Sequence, residues 1–174
     1  MKILAMFSSP RPNSNSTFLL ETILKEAEKK GHAVNRLDIV PLNIKPCTGC
    51  RACWTNKEKA CIIKDDYPVV AKAIEDADYL LMSTPLYYWW VSASLKQVLD
   101  RSYPPPFEKF KGKTMHLVIT GEEKEDNQCF IGIRDGFTAM CKYMGMTLNI
   151  FTCPVTPLSI RPRTMKKPLP GQKK

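Results

Sequence analysis

The sequence lacks several features that would direct it to a membrane or to a familiar nucleotide site. Its 174 residues contain no apolar run that approaches the ~18 residues needed by a membrane helix. The apolar start, Met1 to Phe7, is too short for a signal peptide and has no small-residue cleavage site. Neither a Gly-x-Gly-x-x-Gly nor a Gly-x-x-x-x-Gly-Lys-Ser/Thr pattern occurs, which argues against a Rossmann dinucleotide site and a P-loop. We therefore expect a cytoplasmic protein without a membrane partner.

Acidic residues are absent from residues 161–174, which hold six lysines and arginines. Without this stretch the chain has 20 basic against 17 acidic residues, so its body is only mildly basic although the net charge is +9. We expect one domain over residues 1–160 and a solvated basic tail over residues 161–174. A subunit-clasping arm or a contact with an anionic partner is the alternative. A nucleic-acid-binding module built on the tail is a remote one, and we predict no nucleic-acid partner.

Apolar runs and helical patterns alternate along the chain. The runs predict five buried strands, at residues 2–7, 34–39, 78–83, 113–120 and 147–153. Apolar residues at three-and-four spacing predict helices at residues 16–30, 67–76, 91–102 and 130–145. This alternation predicts an α/β fold whose parallel sheet is covered on both faces. Ligands of such sheets bind beyond the carboxyl ends of the strands, which directs attention to the loops Ser8–Ser16, Thr84–Trp90 and Thr120–Asp126.

The first of these loops, which we call the serine-rich loop (residues 8–17), is crowded with hydrogen-bond donors. It supplies hydroxyls, two amides and the Arg11 guanidinium, and no acidic residue occurs within residues 1–20. A helix that begins here adds free backbone N–H groups and the positive end of its dipole, so an anion such as a phosphate monoester is favoured. The alternative is a plain N-cap and turn, because Ser, Asn and Pro are ordinary turn residues.

The second loop, which we call the aromatic loop (residues 84–91), has four consecutive aromatic residues, Tyr87 to Trp90. Neighbouring side chains point in different directions, so the four cannot all enter the core. A planar ring system stacked at this edge would account for them.

Together these pieces resemble the NADPH-dependent FMN reductase family of flavodoxin-fold proteins over about residues 1–155. The resemblance rests on Ser9-Pro10-Arg11 with Ser14-Asn15-Ser16, on Thr84-Pro85-Leu86-Tyr87, on Ser94-Leu95-Lys96 with Asp100-Arg101, and on Asp65-Asp66. It implies a flavodoxin-like three-layer sandwich with a five-stranded parallel sheet. Ser8 stands where the family usually has glycine, which affects the turn, and Trp89-Trp90 is bulkier than the usual pair, which affects the substrate pocket.

Carried over by position, the resemblance also implies a set of cofactor-binding residues. The phosphate of FMN would contact Ser9, Arg11, Asn13, Asn15, Ser16 and Thr17. The flavin ring would contact Pro85, Leu86, Tyr87, Tyr88 and Trp89, with Thr120 and Gly121 on its pyrimidine side.

The activity implied is that of an NAD(P)H-dependent flavin oxidoreductase. Hydride would pass from NAD(P)H to the flavin and electrons from there to an acceptor in the same place, a ping-pong scheme that needs no catalytic side chain. The family suggests quinones, flavins, nitro or azo compounds or ferric complexes as acceptors. A small protein acceptor is the alternative to a small molecule. The family and the bulky aromatic residues Trp89 and Trp90 both predict a homodimer or tetramer.

Four of the seven cysteines lie within fifteen residues, as Cys47-x2-Cys50-x2-Cys53-x7-Cys61. Thiolates at such spacing can ligate an iron–sulfur cluster or zinc. The pattern is similar to that of the iron–sulfur flavoproteins, a branch of the same superfamily with a [4Fe–4S] cluster beside FMN, and it implies electron transfer as the alternative function. Free thiols that pack the loop, and a disulfide, remain open alternatives. If the sulfurs converge, Gly49 supplies the turn between the first two.

The segment Lys96 to Arg101 carries charges at four- and five-residue spacing on one predicted helix. Lys96 and Asp100 are expected to pair along the helix surface. A contact across a subunit boundary is the alternative.

Overall fold

The computed structural model describes residues 1–102 and 109–154, and these form one parallel sheet with helices on both faces. The predicted basic tail, residues 161–174, lies outside the described residues. The five strands are β1 (Lys2–Phe7), β2 (Ala33–Asp38), β3 (Tyr79–Pro85), β4 (Thr114–Gly121) and β5 (Thr147–Pro154). They lie side by side in the order β2-β1-β3-β4-β5, and each pair is parallel. The predicted five-stranded flavodoxin-like fold is confirmed.

The helices connect consecutive strands, as right-handed crossovers of a parallel sheet require. They are α1 (Asn15–Lys29), α2 (Ala52–Thr55), α3 (Tyr67–Asp76), α4 (Ala93–Arg101) and α5 (Gln128–Met144). Hydroxyl or amide side chains cap three of them at the amino end, Ser14 for α1, Ser92 for α4 and Asn127 for α5. Gly145 ends α5 at a φ of 66°, a left-handed conformation that glycine adopts without steric cost.

The two faces of the sheet are covered unequally within the described residues. On one face, α3, α4 and α5 pack on side chains that include Met6, Leu80 and Leu117. On the other face, α1 alone packs, through Leu20 and Leu24, on the intervening residues of the same strands. Alternation of side chains along each strand explains the division, since successive residues point to opposite faces.

No helix among the described residues has the length and apolar character needed to cross a bilayer.

Candidate functional site

The serine-rich loop leaves the carboxyl end of β1 and enters the first turn of α1. The Ser14 hydroxyl oxygen accepts a hydrogen bond from the backbone N–H of Thr17 at 3.1 Å and lies 3.0 Å from the Ser16 hydroxyl oxygen. In the part of the chain that the structure describes, the backbone N–H groups of Asn13, Asn15 and Ser16 have no acceptor. Free N–H groups and the positive end of the α1 dipole at this terminus are suited to an anion.

Arg11 connects the serine-rich loop with the aromatic loop. Its side chain is exposed, and its Cζ lies 6.0 Å from the centroid of the Tyr87 ring. The Ser9 hydroxyl oxygen accepts a hydrogen bond from the backbone N–H of Arg11 at 3.3 Å and so fixes the loop beneath it. The structure therefore brings together two of the predicted regions, the one rich in donors and the one rich in aromatic rings.

Ser8, the departure from the family's usual glycine, has a structural role here. Its side chain is fully buried and its hydroxyl donates to the backbone carbonyl of Ser83 at 2.7 Å. The Ser92 hydroxyl in turn donates to Ser8 Oγ at 2.8 Å, and the Ser92 backbone N–H donates to Thr84 Oγ1 at 2.9 Å. This chain of hydroxyls ties the carboxyl end of β1 to β3 and to the start of α4. The serine thus fixes the turn rather than loosening it.

The aromatic loop contains a tight turn that the sequence did not predict. Tyr87 and Trp90 exchange two backbone hydrogen bonds of 2.9 and 3.0 Å. Between them, Tyr88 and Trp89 have φ angles of 46° and 64°. Two positive φ angles in a two-residue turn are typical of β-hairpins, where Asn and Gly are favoured, so two large aromatic residues there are sterically costly. The turn leaves Tyr88 92% and Trp89 63% exposed.

The start of the third loop meets the aromatic loop directly. The backbone N–H of Leu86 donates to the carbonyl of Thr120 at 2.7 Å. A Cβ on Gly121 would lie 2.9 Å from Leu86 Cβ, so only glycine allows this approach. Thr120 is buried, and Gly121 and Leu86 are half-buried at the same edge of the sheet.

The cysteine segment, which we define as residues 46–64, is irregular apart from the single turn of α2. Cys47 and Cys50 are exposed, whereas Cys53 and Cys61 are half-buried. Burial raises the pKa of the Cys53 thiol, and the neighbouring thiols of Cys61, Cys50 and Cys47 raise it further. Cys53 therefore lies in the neighbourhood of the other three cysteines. Gly49 has a φ of 68° between the first two cysteines, as predicted.

Polar groups around Cys50 favour its ionised form. The backbone N–H of Ala52 and then the Thr48 hydroxyl lower the pKa of the Cys50 thiol. Within residues 1–102 and 109–154, no three His, Cys, Asp or Glu side chains lie close enough to hold a single metal ion. Cysteine thiolates ligate both iron–sulfur clusters and structural zinc, so the donor chemistry of these four residues fits either group.

Hydrogen bonds join the two ends of the cysteine segment at what we call the neck, which consists of Asn43, Lys45, Asp65 and Asp66. The Asp65 carboxylate accepts from the backbone N–H of Lys45 at 2.9 Å, and the Asp66 carboxylate accepts from that of Asn43 at 2.8 Å. The backbone N–H of Asp66 donates to the Asn43 carbonyl at 3.2 Å. The cysteines thus lie on a closed loop.

Arg101, at the end of α4, lies beneath the neck. Its guanidinium forms a two-point ion pair with Asp65, with N–O distances of 2.6 and 3.2 Å, and both side chains are buried. It also donates to the Lys45 carbonyl at 2.9 Å and lies 4.7 Å from the centroid of the Tyr67 ring. Hydrogen bonding to Arg101 is the main cause that lowers the pKa of Asp65 to about 2.

The sequence pattern groups Arg101 with Lys96 and Asp100 and does not reveal its partner, Asp65. Lys96 and Asp100 pair at 2.5 Å on the exposed side of α4, as predicted. Arg101 faces the opposite way, into the fold. The nearest signal in the sequence was the presence of both Asp65-Asp66 and Asp100-Arg101 among the family-like pieces, although nothing in either piece shows that they pair.

Comparisons with known proteins place the chain in a family. Residues 1–139 match the family model described as NADPH-dependent FMN reductase. The chain is similar to an iron–sulfur flavoprotein of Methanocaldococcus jannaschii, with 34% identity over 104 residues, which cover 60% of this chain and 53% of that protein. The chain spans about half the length of the curated relatives it matches.

Two solved structures share the fold at low sequence identity. An NAD(P)H:quinone oxidoreductase from Methanothermobacter marburgensis superimposes with a TM-score of 0.71 and 18% identity, over 91% of this chain and 87% of that chain. An FMN-dependent NADH-azoreductase from Bacillus anthracis, in complex with FMN, has a TM-score of 0.70 and 12% identity, over 87% and 86% of the two chains. Both likenesses concern the fold alone.

Proposed function

Because the chain belongs to the NADPH-dependent FMN reductase family, we propose that it is an NAD(P)H oxidoreductase that binds FMN where the serine-rich and aromatic loops meet. One observation carries this proposal, the approach of Arg11 to Tyr87 above a helix terminus whose N–H groups lack acceptors. This approach brings the serine-rich loop, which is suited to one phosphate, next to the aromatic loop, which is suited to a planar ring. This combination fits FMN, which has a single phosphate, and the sequence has no dinucleotide fingerprint.

Each group of residues has a separate task in this proposal. Donors of the serine-rich loop hold the phosphate: Ser9, Arg11, Asn13, Asn15, Ser16 and Thr17. Residues of the aromatic loop and of the β4 end line the ring: Pro85, Leu86, Tyr87, Tyr88, Trp89, Thr120 and Gly121. Bound FMN supplies the hydride chemistry between NAD(P)H and the acceptor. The chain itself would orient the ring and shape its open side through Tyr88 and Trp89.

We propose a ping-pong scheme with a quinone, flavin, nitro or azo compound or ferric complex as acceptor. Tyr88 and Trp89 support it, because flat, exposed aromatic side chains can contact planar acceptors of varied shape. The same exposed rings support a homodimer or tetramer, since large apolar side chains clustered on a surface usually mark a partner contact. Sedimentation as a monomer at micromolar concentration would contradict the proposed assembly.

The cysteine segment supports a second candidate function, electron transfer through FMN and a [4Fe–4S] cluster. Its ligands would be Cys47, Cys50, Cys53 and Cys61. Two observations favour it: Cys53 lies in the neighbourhood of the other three cysteines, and the curated relatives that the chain matches are named iron–sulfur flavoproteins. Thiolate ligands would suit iron, and the lowered pKa of Cys50 eases the loss of its proton.

Anaerobic purification followed by cofactor analysis tests both functions. We expect a yellow protein that releases FMN on denaturation and whose flavin absorbance is bleached by NAD(P)H. Release of FAD, or no flavin after soaking with FMN, would contradict the first function. Iron and acid-labile sulfide at about four each per chain would establish the cluster. Their absence from an anaerobic, flavin-loaded protein would leave the plain FMN reductase.

A further inference from the structure

Arg101 contacts both strands of chain at the neck, the one that leads into the cysteine segment and the one that leads out of it. It donates to the Lys45 carbonyl on the incoming chain and pairs at two points with Asp65 on the outgoing chain. Asp65 completes the ring by accepting from the Lys45 backbone N–H. One guanidinium therefore holds both ends of the segment, and it does so from α4, which is anchored in the core through Leu95 and Val98.

The position of Arg101 also favours an effect on the cysteines themselves. Burial opposes its charge, but Asp65 and the nearby sulfur of Cys61 outweigh this and raise the pKa of Arg101. Among the described residues, its Nε is a buried donor without a hydrogen-bond partner. Asp65 and Lys45 thus occupy only part of the guanidinium, and Cys61 is the thiol that lies beside it.

The Arg101–Asp65 ion pair is buried, unlike the other ion pair on α4. Side-chain exposure is 1% for Arg101 and 0% for Asp65, whereas the Lys96–Asp100 pair on the same helix is 46% and 45% exposed. Exposed pairs contribute little to stability, while one member of a buried pair cannot be removed without leaving a charge uncompensated. The bidentate geometry also requires an arginine, because lysine offers a single point charge.

We propose that Arg101 is a positioning residue for the cluster site: it fixes the two ends of the neck, so that the cysteine segment is ordered before iron is inserted. Only the effect of Arg101 on iron rests on the proposed cluster. The ordering of the segment concerns the metal-free chain and stands by itself.

The first test uses metal-free, full-length protein and trypsin. Lys57 and Lys59 are exposed within the segment and give an internal cleavage site. Arg101→Lys keeps the charge but loses the two-point pair, and Asp65→Asn/Arg101→Gln replaces the pair with neutral polar side chains. Both variants should be cut faster at these lysines than the wild type. Lys96→Gln, which breaks the exposed pair on the same helix, should be cut at the wild-type rate.

The second test measures iron after anaerobic reconstitution. Loss of an outer-shell partner typically costs a metal site 10–100-fold in affinity, so a chelator should remove iron about tenfold faster from Arg101→Lys than from the wild type or Lys96→Gln. FMN content and the circular dichroism spectrum show whether each variant is folded. If Arg101→Lys does not fold, the neutral double variant is used in its place.

The outcomes separate the two proposals. A wild-type protein that takes up no iron overturns the proposed cluster. The rates of tryptic cleavage then test by themselves whether Arg101 orders the cysteine segment. Iron-loaded variants with wild-type rates of iron loss and of cleavage would overturn the role of Arg101 while leaving the cluster intact. Faster cleavage together with faster iron loss would establish both.

Discussion

The serine-rich loop and the cysteine segment are both irregular, yet they are held in different ways. Hydroxyl hydrogen bonds through Ser8 and Ser92 fix the serine-rich loop along its base, at the edge of the sheet. The cysteine segment is fixed at its neck by backbone hydrogen bonds and one buried ion pair, and most of its body is exposed. The loop that we propose to hold the phosphate of FMN is thus fixed by several hydroxyl contacts, whereas the cysteine segment is fixed only at its two ends, around one buried ion pair. Substitutions should therefore have graded effects in the first region and a large one at the neck of the second.

The largest effect is expected from Asp65→Ala. Removal of this carboxylate leaves the Arg101 charge buried and unpaired, which should lower the free energy of unfolding by about 3–5 kcal/mol. Urea denaturation followed by circular dichroism measures it. Asp100→Ala, which breaks the exposed pair on the same helix, is the control and should cost about 0–1 kcal/mol. Equal losses in the two variants would contradict the special role of the neck.

The next effect concerns the serine-rich loop. Arg11→Ala should weaken FMN binding by roughly 1.5–3 kcal/mol, the range for a hydrogen bond to a charged group. Fluorescence titration of the flavin-free protein measures the affinity. Lys25→Ala removes an exposed positive charge further along α1 and should leave it unchanged. An unchanged affinity in Arg11→Ala would show that Arg11 is only a surface residue of the loop.

The ion pair at the neck should also make stability depend on pH. The pKa of Asp65 falls from 3.8 to about 2 on folding, so the folded state favours the ionised carboxylate. This stabilisation is fully present above about pH 4 and is lost as the pH falls through about 2, with a total of roughly 2 kcal/mol. Denaturation series between pH 5 and pH 2 should show this loss in the wild type and a smaller one in Asp65→Asn. Parallel profiles would contradict the assignment.

The smallest effect is expected in the aromatic loop. Trp89→Gly should raise the free energy of unfolding by up to about 1 kcal/mol, because glycine adopts a positive φ without steric cost. It should at the same time weaken FMN binding, since the ring contact is lost. Trp90→Gly, at a neighbouring position whose φ is not positive, should destabilise the protein. Thermal melts with and without FMN distinguish these results, and a destabilised Trp89→Gly would argue against strain in the turn.

The fold could be predicted because the pattern of every strand, and of every helix except the single turn of α2, is local in the sequence. The run Lys2–Phe7 and the spacing of Leu20 and Leu24 are sufficient to place β1 and α1. The loops at the carboxyl edge followed from the parallel sheet. The unpredicted parts depend on contacts between distant positions: Arg101 meets Asp65 across 36 residues, and Ser92 meets Ser8 across 84.

The turn at Tyr88-Trp89 was unpredictable for another reason. Local preference argues against two large aromatic residues at positive φ, so the conformation must be imposed by its surroundings. Leu86 pairs with the Thr120 carbonyl before the turn, and Trp90 lies over Gly136 of α5 after it, where an added Cβ would be 3.4 Å from the ring. Such tertiary contacts are not visible in a four-residue sequence pattern.

The closed neck has a consequence for how this protein can change. The two ends of the cysteine segment meet at Lys45 and Asp65. The residues between them therefore form an inserted loop whose length does not affect the packing of the sheet. Doubling a flexible loop costs only about 0.6 kcal/mol in closure entropy. Residues 46–64 could therefore be lengthened, shortened or exchanged for a segment without cysteines while β2 and α3 keep their places. The same domain could in this way gain or lose a redox centre through a local replacement.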